Sequence, residues 1–201
     1  MERQEFLKKA GITSVLASFP LYADVAWAGD DDDDGNGRLR YYFVAFSGVE
    51  PSRALTATPD AIIMSGCGSF NSSRVSGGGE YVRTNGTLIP NAPVNDTGSW
   101  KATRLLGFTP VSPPRTWGVV VPGFVRMEVK MVSALDGRIR RPTLEVVCNV
   151  GPAGIQTGRG PEGFTLSGGG LPTFVQLTPT VGLTFITQPV RRRRDDDDDD
   201  D

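Results

Sequence analysis

The chain has 201 residues, 38% of them hydrophobic and 22% charged, with 21 lysines and arginines against 23 acids and no histidine. That length suits one domain with a real core and is short for two. Without histidine the usual proton shuttle and the commonest transition-metal ligand are both missing, so histidine-dependent catalysis is excluded.

Taken in chain order, residues 1–28 read as a cleavable signal peptide. A polar, basic opening through Lys9 precedes an apolar run from Ala10 to Ala23, and Ala26-Trp27-Ala28 supplies the small-x-small pattern that a signal peptidase accepts before Gly29. The apolar run is shorter than the ~18 residues that span a bilayer, so no stable membrane insertion is expected after cleavage. Arg3 to Lys8, RQEFLK, resembles the twin-arginine export signal, with Gln4 standing where the second arginine belongs. The resemblance implies an exported protein, periplasmic or extracellular, and the general secretory route remains open.

Residues 29–38 are expected to be a disordered acidic segment, 39–190 the β-domain, and 191–201 a disordered Arg/Asp tail. The runs Asp30–Asp34 and Asp195–Asp201 hold twelve acids, while residues 35–190 hold 14 lysines and arginines against 8 acids. Acidic segments attracted to a basic body argue against a free cationic surface for nucleic acid. Asp30, Asp32 and Asp34 before Gly35 match the first half of a calcium loop, but Tyr41 stands where the closing glutamate belongs. No specific metal site and no cofactor are expected, and these three aspartates are the candidates for loose calcium binding.

The body reads as all-β, because Gly, Pro and β-branched residues interrupt every window long enough for three helical turns. Strands are expected near residues 39–46, 61–70, 80–83, 99–106, 117–121, 124–132, 143–150, 163–167, 173–177 and 183–187. About 8–10 short strands at this spacing suggest a single antiparallel sandwich or jelly roll, or a closed barrel. Gly77-Gly78-Gly79 and Gly168-Gly169-Gly170 read as turns or bulges. The sequons at Asn71, Asn85 and Asn95 label residues 71–97 as surface loops around one short strand, and Pro110 to Arg115 reads as a stiff connection.

One hairpin can be derived in detail. Val125, Met127, Val129 and Met131 alternate with Arg126, Glu128 and Lys130, Leu144, Val146, Cys148 and Val150 alternate with Glu145, Val147 and Asn149, and Asp136-Gly137 between them favours a two-residue turn. Pairing about that turn sets Val129 opposite Leu144, Met127 opposite Val146 and Val125 opposite Cys148, with every inward residue meeting an inward partner. Glu128 then faces Glu145 outward. Two cysteines in an exported chain read first as one disulfide, Cys67–Cys148, stabilising by roughly 4 kcal/mol in the chain-entropy account.

Two classes of function follow. The first is an exported non-enzymatic β-domain, a binding or surface-associated module for a small molecule, glycan or surface component, with Trp100, Trp117, Tyr41 and Tyr42 as candidates for stacking on a ligand. The second is a small carbohydrate-directed hydrolase using a carboxylate pair drawn from Glu128, Glu145 and Glu80. No serine sits in a nucleophile elbow and no glycine run lies in a phosphate-binding context, which favours the first.

Overall fold

A computed structural model describes residues 38–50, 60–85, 92–110, 118–149, 161–177 and 182–189. They form ten strands: β1 (Leu39–Val49), β2 (Asp60–Phe70), β3 (Val75–Asn85), β4 (Val94–Pro110), β5 (Gly123–Ser133), β6 (Ile139–Arg140), β7 (Thr143–Cys148), β8 (Gly163–Gly168), β9 (Leu171–Gln176) and β10 (Gly182–Thr187). Eight of them, β1 to β5 and β7 to β9, pair antiparallel in chain order, and β9 returns to β1 through Ser47↔Gln176 and Val49↔Phe174. The result is a closed up-and-down barrel, the all-β solution that removes both sheet edges. β6 extends the edge of β5, and β10 takes the half of β1 that β9 leaves open, with Arg40↔Thr187 and Val44↔Leu183 as partners. Thr184 locks β10 in place: its N–H donates to Glu162 Oε1 at 2.5 Å and its hydroxyl to the Val147 carbonyl at 2.6 Å.

Alternation decides what fills the barrel. Tyr41, Phe43 and Ala45 of β1 point inward and are buried, while Arg40, Tyr42 and Val44 point outward. Inside, Phe43 packs against Trp100 (centroids 5.7 Å) and Phe164 (5.8 Å), and Met64, Val129 and Leu144 close round them. The interior is a solid core, each large side chain contributing about 1.5–3 kcal/mol by burial. The bulk of Trp100 is accommodated by glycine across the barrel wall: a Cβ on Gly66 would meet Trp100 Cζ2 at 2.2 Å. The Gly77–Gly79 stretch, expected as a turn or bulge, instead lies in the first half of β3, running under Tyr41 and Trp100. Gly168–Gly170 does turn, with φ of +82°, +65° and +77°, values that favour glycine.

The β5–β7 pairing differs from the expected one by two residues. Met127 faces Leu144, Val125 faces Val146 and Gly123 faces Cys148. The loop is longer than a two-residue turn: Ser133 N–H bonds to the Arg138 carbonyl at 3.0 Å, Gly137 N–H returns to the Ser133 carbonyl at 3.0 Å, and Ser133 Oγ accepts from Leu135 and Asp136 N–H. A shift of two keeps every side chain on its face, so the inward set survives while the outward partners change. Pro142 lies beside Val129, whose N–H its carbonyl accepts at 3.0 Å, instead of opposite Met131, which Arg140 faces.

The stretch 71–97 is mostly strand. Only 71–74 is a described turn, held by Asn71 Oδ1 accepting from Ser73 and Arg74 N–H at 3.0 and 2.9 Å; Asn85 ends β3, and Asn95 is the extra residue of a bulge in β4. Two further bulges, at Thr103 and Leu106, curl the 17-residue β4 around the barrel. Of the expected strand at 117–121, Val120 makes a single bridge to Thr187, and Trp117 lies outside the described residues.

Candidate functional site

The residues singled out for ligand or catalytic roles are dispersed by this fold. Tyr41 and Trp100 are core residues, 0% and 3% exposed, the Tyr41 hydroxyl donating to the Ser76 carbonyl and the Trp100 indole N–H to the Ser65 carbonyl. Neither is offered to a ligand; Tyr42 remains half-buried on the outer face. Asp30, Asp32 and Asp34 lie outside the described residues.

Cys67 and Cys148 are not joined. Inward-pointing Tyr41 is the partner of Gly68, so Cys67 next to it points out of the barrel, whereas Cys148 is in phase with Val146 and points in. The barrel wall separates the two thiols, and the expected disulfide is absent.

Nor do the glutamates pair. Glu128 faces Thr143 and Glu145 faces Arg126. The Glu128 carboxylate receives Arg104 in a two-point contact, Nε to Oε2 at 2.9 Å with a second bond from the guanidinium, while Arg126 Nε lies 3.4 Å from Glu145 Oε2. The hydrogen bonds from Arg104, and then the charges of Arg104 and Arg141, hold the Glu128 carboxyl below its ordinary range. An exposed carboxylate kept ionised in this way is unsuited to general-acid work near neutral pH. Glu80 sits on another strand, between Ser65 and Ser99.

An inward-facing polar cluster at the end of the barrel where β2 begins has no counterpart in the sequence reading. Asp60, Arg83, Asp96 and Arg140 come from four strands and alternate in sign: Arg83 bonds Asp60 at 2.5 Å and Arg140 bonds Asp96 at 2.9 Å. Asp96 also accepts from Tyr81 at 3.2 Å and from Ser133 at 2.7 Å, and the Arg83 guanidinium stands over the Phe174 ring, 5.9 Å from its centre. The signal was present as lone charges in the inward phase, Arg83 two residues from Tyr81 and Asp96 two from Gly98. Its charges are matched internally, so the cluster plugs the barrel end.

Two clefts are open and shallow. One of about 340 Å³ runs over Gly98 on the outer wall beside Glu80, Ser99 and Val132; the other, about 470 Å³, lies at the opposite barrel end among Leu39, Phe70, Leu105 and Phe108. Among the described residues no three cysteine, aspartate or glutamate side chains gather as metal ligands.

Charge on the outer wall is segregated. The side built by β10, β1 and β2 shows Tyr42, Val44, Ser65, Cys67, Leu183 and Phe185, with Arg40 at its end as its one charged residue. The side built by β4, β5 and β7 shows Lys101, Arg104, Arg126 and Lys130 with Arg141 at its margin, against Glu128 and Glu145. Lys101 and Lys130 are the only lysines after residue 28, and they stand directly opposite each other across β4 and β5. Like charges so placed repel, and among the described residues no carboxylate lies within salt-bridge distance of either. No protein family, curated protein or solved structure matches this chain.

Proposed function

We propose that this chain is an exported, non-enzymatic binding domain that uses the cationic wall of its barrel to hold an anionic polysaccharide outside the cytoplasm. The observation that carries the reading is the opposed pair Lys101 and Lys130, set among Arg104, Arg126 and Arg141 on a barrel whose interior is filled. A filled interior leaves ligand contact to the outer surface, and two unneutralised ammonium groups on neighbouring strands favour a ligand bearing regularly spaced anions. Hydroxyls of Ser99, Thr103 and Thr143 on the same wall suit a hydrated carbohydrate. Phe124 is in the outward phase of β5 but is buried, so the described residues of β4, β5 and β7 offer no exposed aromatic ring on which bases could stack. The carboxylate-pair hydrolase loses its support, since Glu128 and Glu145 each face an arginine or a threonine and not one another.

Binding to polygalacturonate and heparin, with dextran and duplex DNA as comparisons, tests the reading. Both acidic polysaccharides should bind at low salt and release as salt rises, and dextran should not bind. The pair Lys101→Glu with Lys130→Glu should weaken binding at least tenfold with little change in thermal midpoint. Equal binding to dextran, or tighter binding to DNA than to either acidic polysaccharide, would remove it.

A further inference from the structure

We infer that the Asp195–Asp201 run of this chain docks on the same cationic wall and competes there with the polymer. The inference rests on the charge of the wall used in the proposed function, and its first readout needs no polymer. Lys101 and Lys130 repel across β4 and β5, and counting Arg104, Arg126 and Arg141 against Glu128, Glu145 and Glu80, which faces Ser99, the wall carries an excess of two positive charges. The chain itself holds seven consecutive aspartates that complement this excess.

Chain geometry brings that run to the wall. At the end of β10, Thr187 is bridged to Val120, and Gln188 N–H donates to the Val119 carbonyl at 2.8 Å. Residues 119–121 lead directly into Gly123 at the root of β5. From there β5 carries Arg126, Glu128 and Lys130 outward, Lys130 being about 37 Å from Val119 at 3.4 Å per residue. Gln188 to Asp195 spans up to about 25 Å and Gln188 to Asp201 up to about 44 Å, so the first aspartates can lie against Arg126 and the last against the lysine pair. Asp30–Asp34 is less well placed. It enters through β1, and β10 stands between β1 and residues 119–121.

Carbodiimide coupling, which joins a carboxylate to a lysine amine already in contact with it, reads the docking directly because the body has only two lysines. In the dilute full chain at low salt, peptide mapping should find residues 195–201 joined to Lys101 or Lys130 in material of monomer mass. The yield should fall several-fold in 0.5 M NaCl and in Arg104→Glu, which leaves both lysines present. Deleting 195–201 should raise heparin affinity about tenfold at low salt, the effect of three or four exposed ion pairs acting together, and leave it unchanged at 0.5 M. Coupling of these lysines only to Asp30–Asp34, to acids of the body, or between chains would overturn the inference. Coupling as expected, with no polymer bound even after the deletion, would leave the docking standing and remove the polysaccharide reading.

Discussion

Trp100 fills the space that a side chain at residue 66 would need. Its indole N–H donates to the Ser65 carbonyl at 2.9 Å, and its ring lies against the inner face of β2 where Gly66 leaves the backbone bare. A Cβ there would lie 2.2 Å from Trp100 Cζ2 and 2.8 Å from the Gly78 carbonyl oxygen, so one neighbour yields only if the indole bond breaks. Gly66→Ala should therefore lower stability by about 1–3 kcal/mol in a chemical denaturation curve. In a Trp100→Leu background the same change should cost clearly less, because the two positions share one space. Equal costs in both backgrounds would show that the crowding lies elsewhere.

This contact also marks where the sequence was legible. Alternation in Val125–Met131 and Leu144–Cys148 was readable, because a half-buried strand repeats every two residues whatever its partner. The register was not, since the Asp136-Gly137 signal counts the residues of the commonest turn and not those held by the hydroxyl of Ser133. Gly77 reads as part of a turn or bulge, whereas here it and Gly66, inside the expected 61–70 strand, make room for Tyr41 and Trp100, contributed by strands remote in sequence. The direction of Cys67 was obscured for a similar reason: Ala61, Ile62, Ile63 and Met64 are all apolar and all buried, so β2 shows no alternation until its partner β1 is known.

The two cysteines should titrate as two thiols in unfolded, non-reduced protein. In the native state Cys67, partly exposed on the outer wall, should react with a thiol reagent first, and Cys148, fully buried, only at the rate at which the barrel opens. Thiol counting with and without denaturant measures both. Zero thiols in the unfolded chain would contradict their placement on opposite sides of the wall.

Asp96 is the acceptor for three donors, Tyr81, Ser133 and Arg140, at the plugged end of the barrel. Asp96→Ala should cost about 3–5 kcal/mol, because it strands a buried guanidinium together with two hydroxyls. Adding Arg140→Met should recover part of that loss, since the unpaired charge goes with it. Urea midpoints of the two variants decide the point, and a double variant less stable than Asp96→Ala would mean that Arg140 has another role.

The same contact makes stability sensitive to alkali. Burial first, and then the negative charge of Asp96 and its hydrogen bond, push the Tyr81 phenol up to about 12, and burial raises Tyr41 as well. A proton held more tightly in the folded state stabilises fully below the ordinary phenol range near pH 10, and that contribution is lost as pH rises through the folded value. Unfolding free energy should hold steady up to about pH 10 and then decline towards pH 12, with Tyr81 accounting for on the order of 2 kcal/mol. Tyr81→Phe should flatten the decline; an unchanged slope would assign it to another group.

Export can be tested at the cleavage point. A signal peptidase seats two small side chains, and Ala26 and Ala28 present them immediately before Gly29. Expressed in a bacterial host, the chain should be recovered outside the cytoplasm with an intact mass beginning at Gly29. Ala28→Phe should leave the uncut precursor at the membrane, since a benzyl group does not fit where a methyl is read. Gln4→Arg, which completes the arginine pair of the RQEFLK stretch, should increase the fraction using the route for folded proteins, measured as export that continues when the general secretory motor is inhibited. Accumulation in the cytoplasm with Met1 still in place would remove both the leader and the compartment assigned to this barrel.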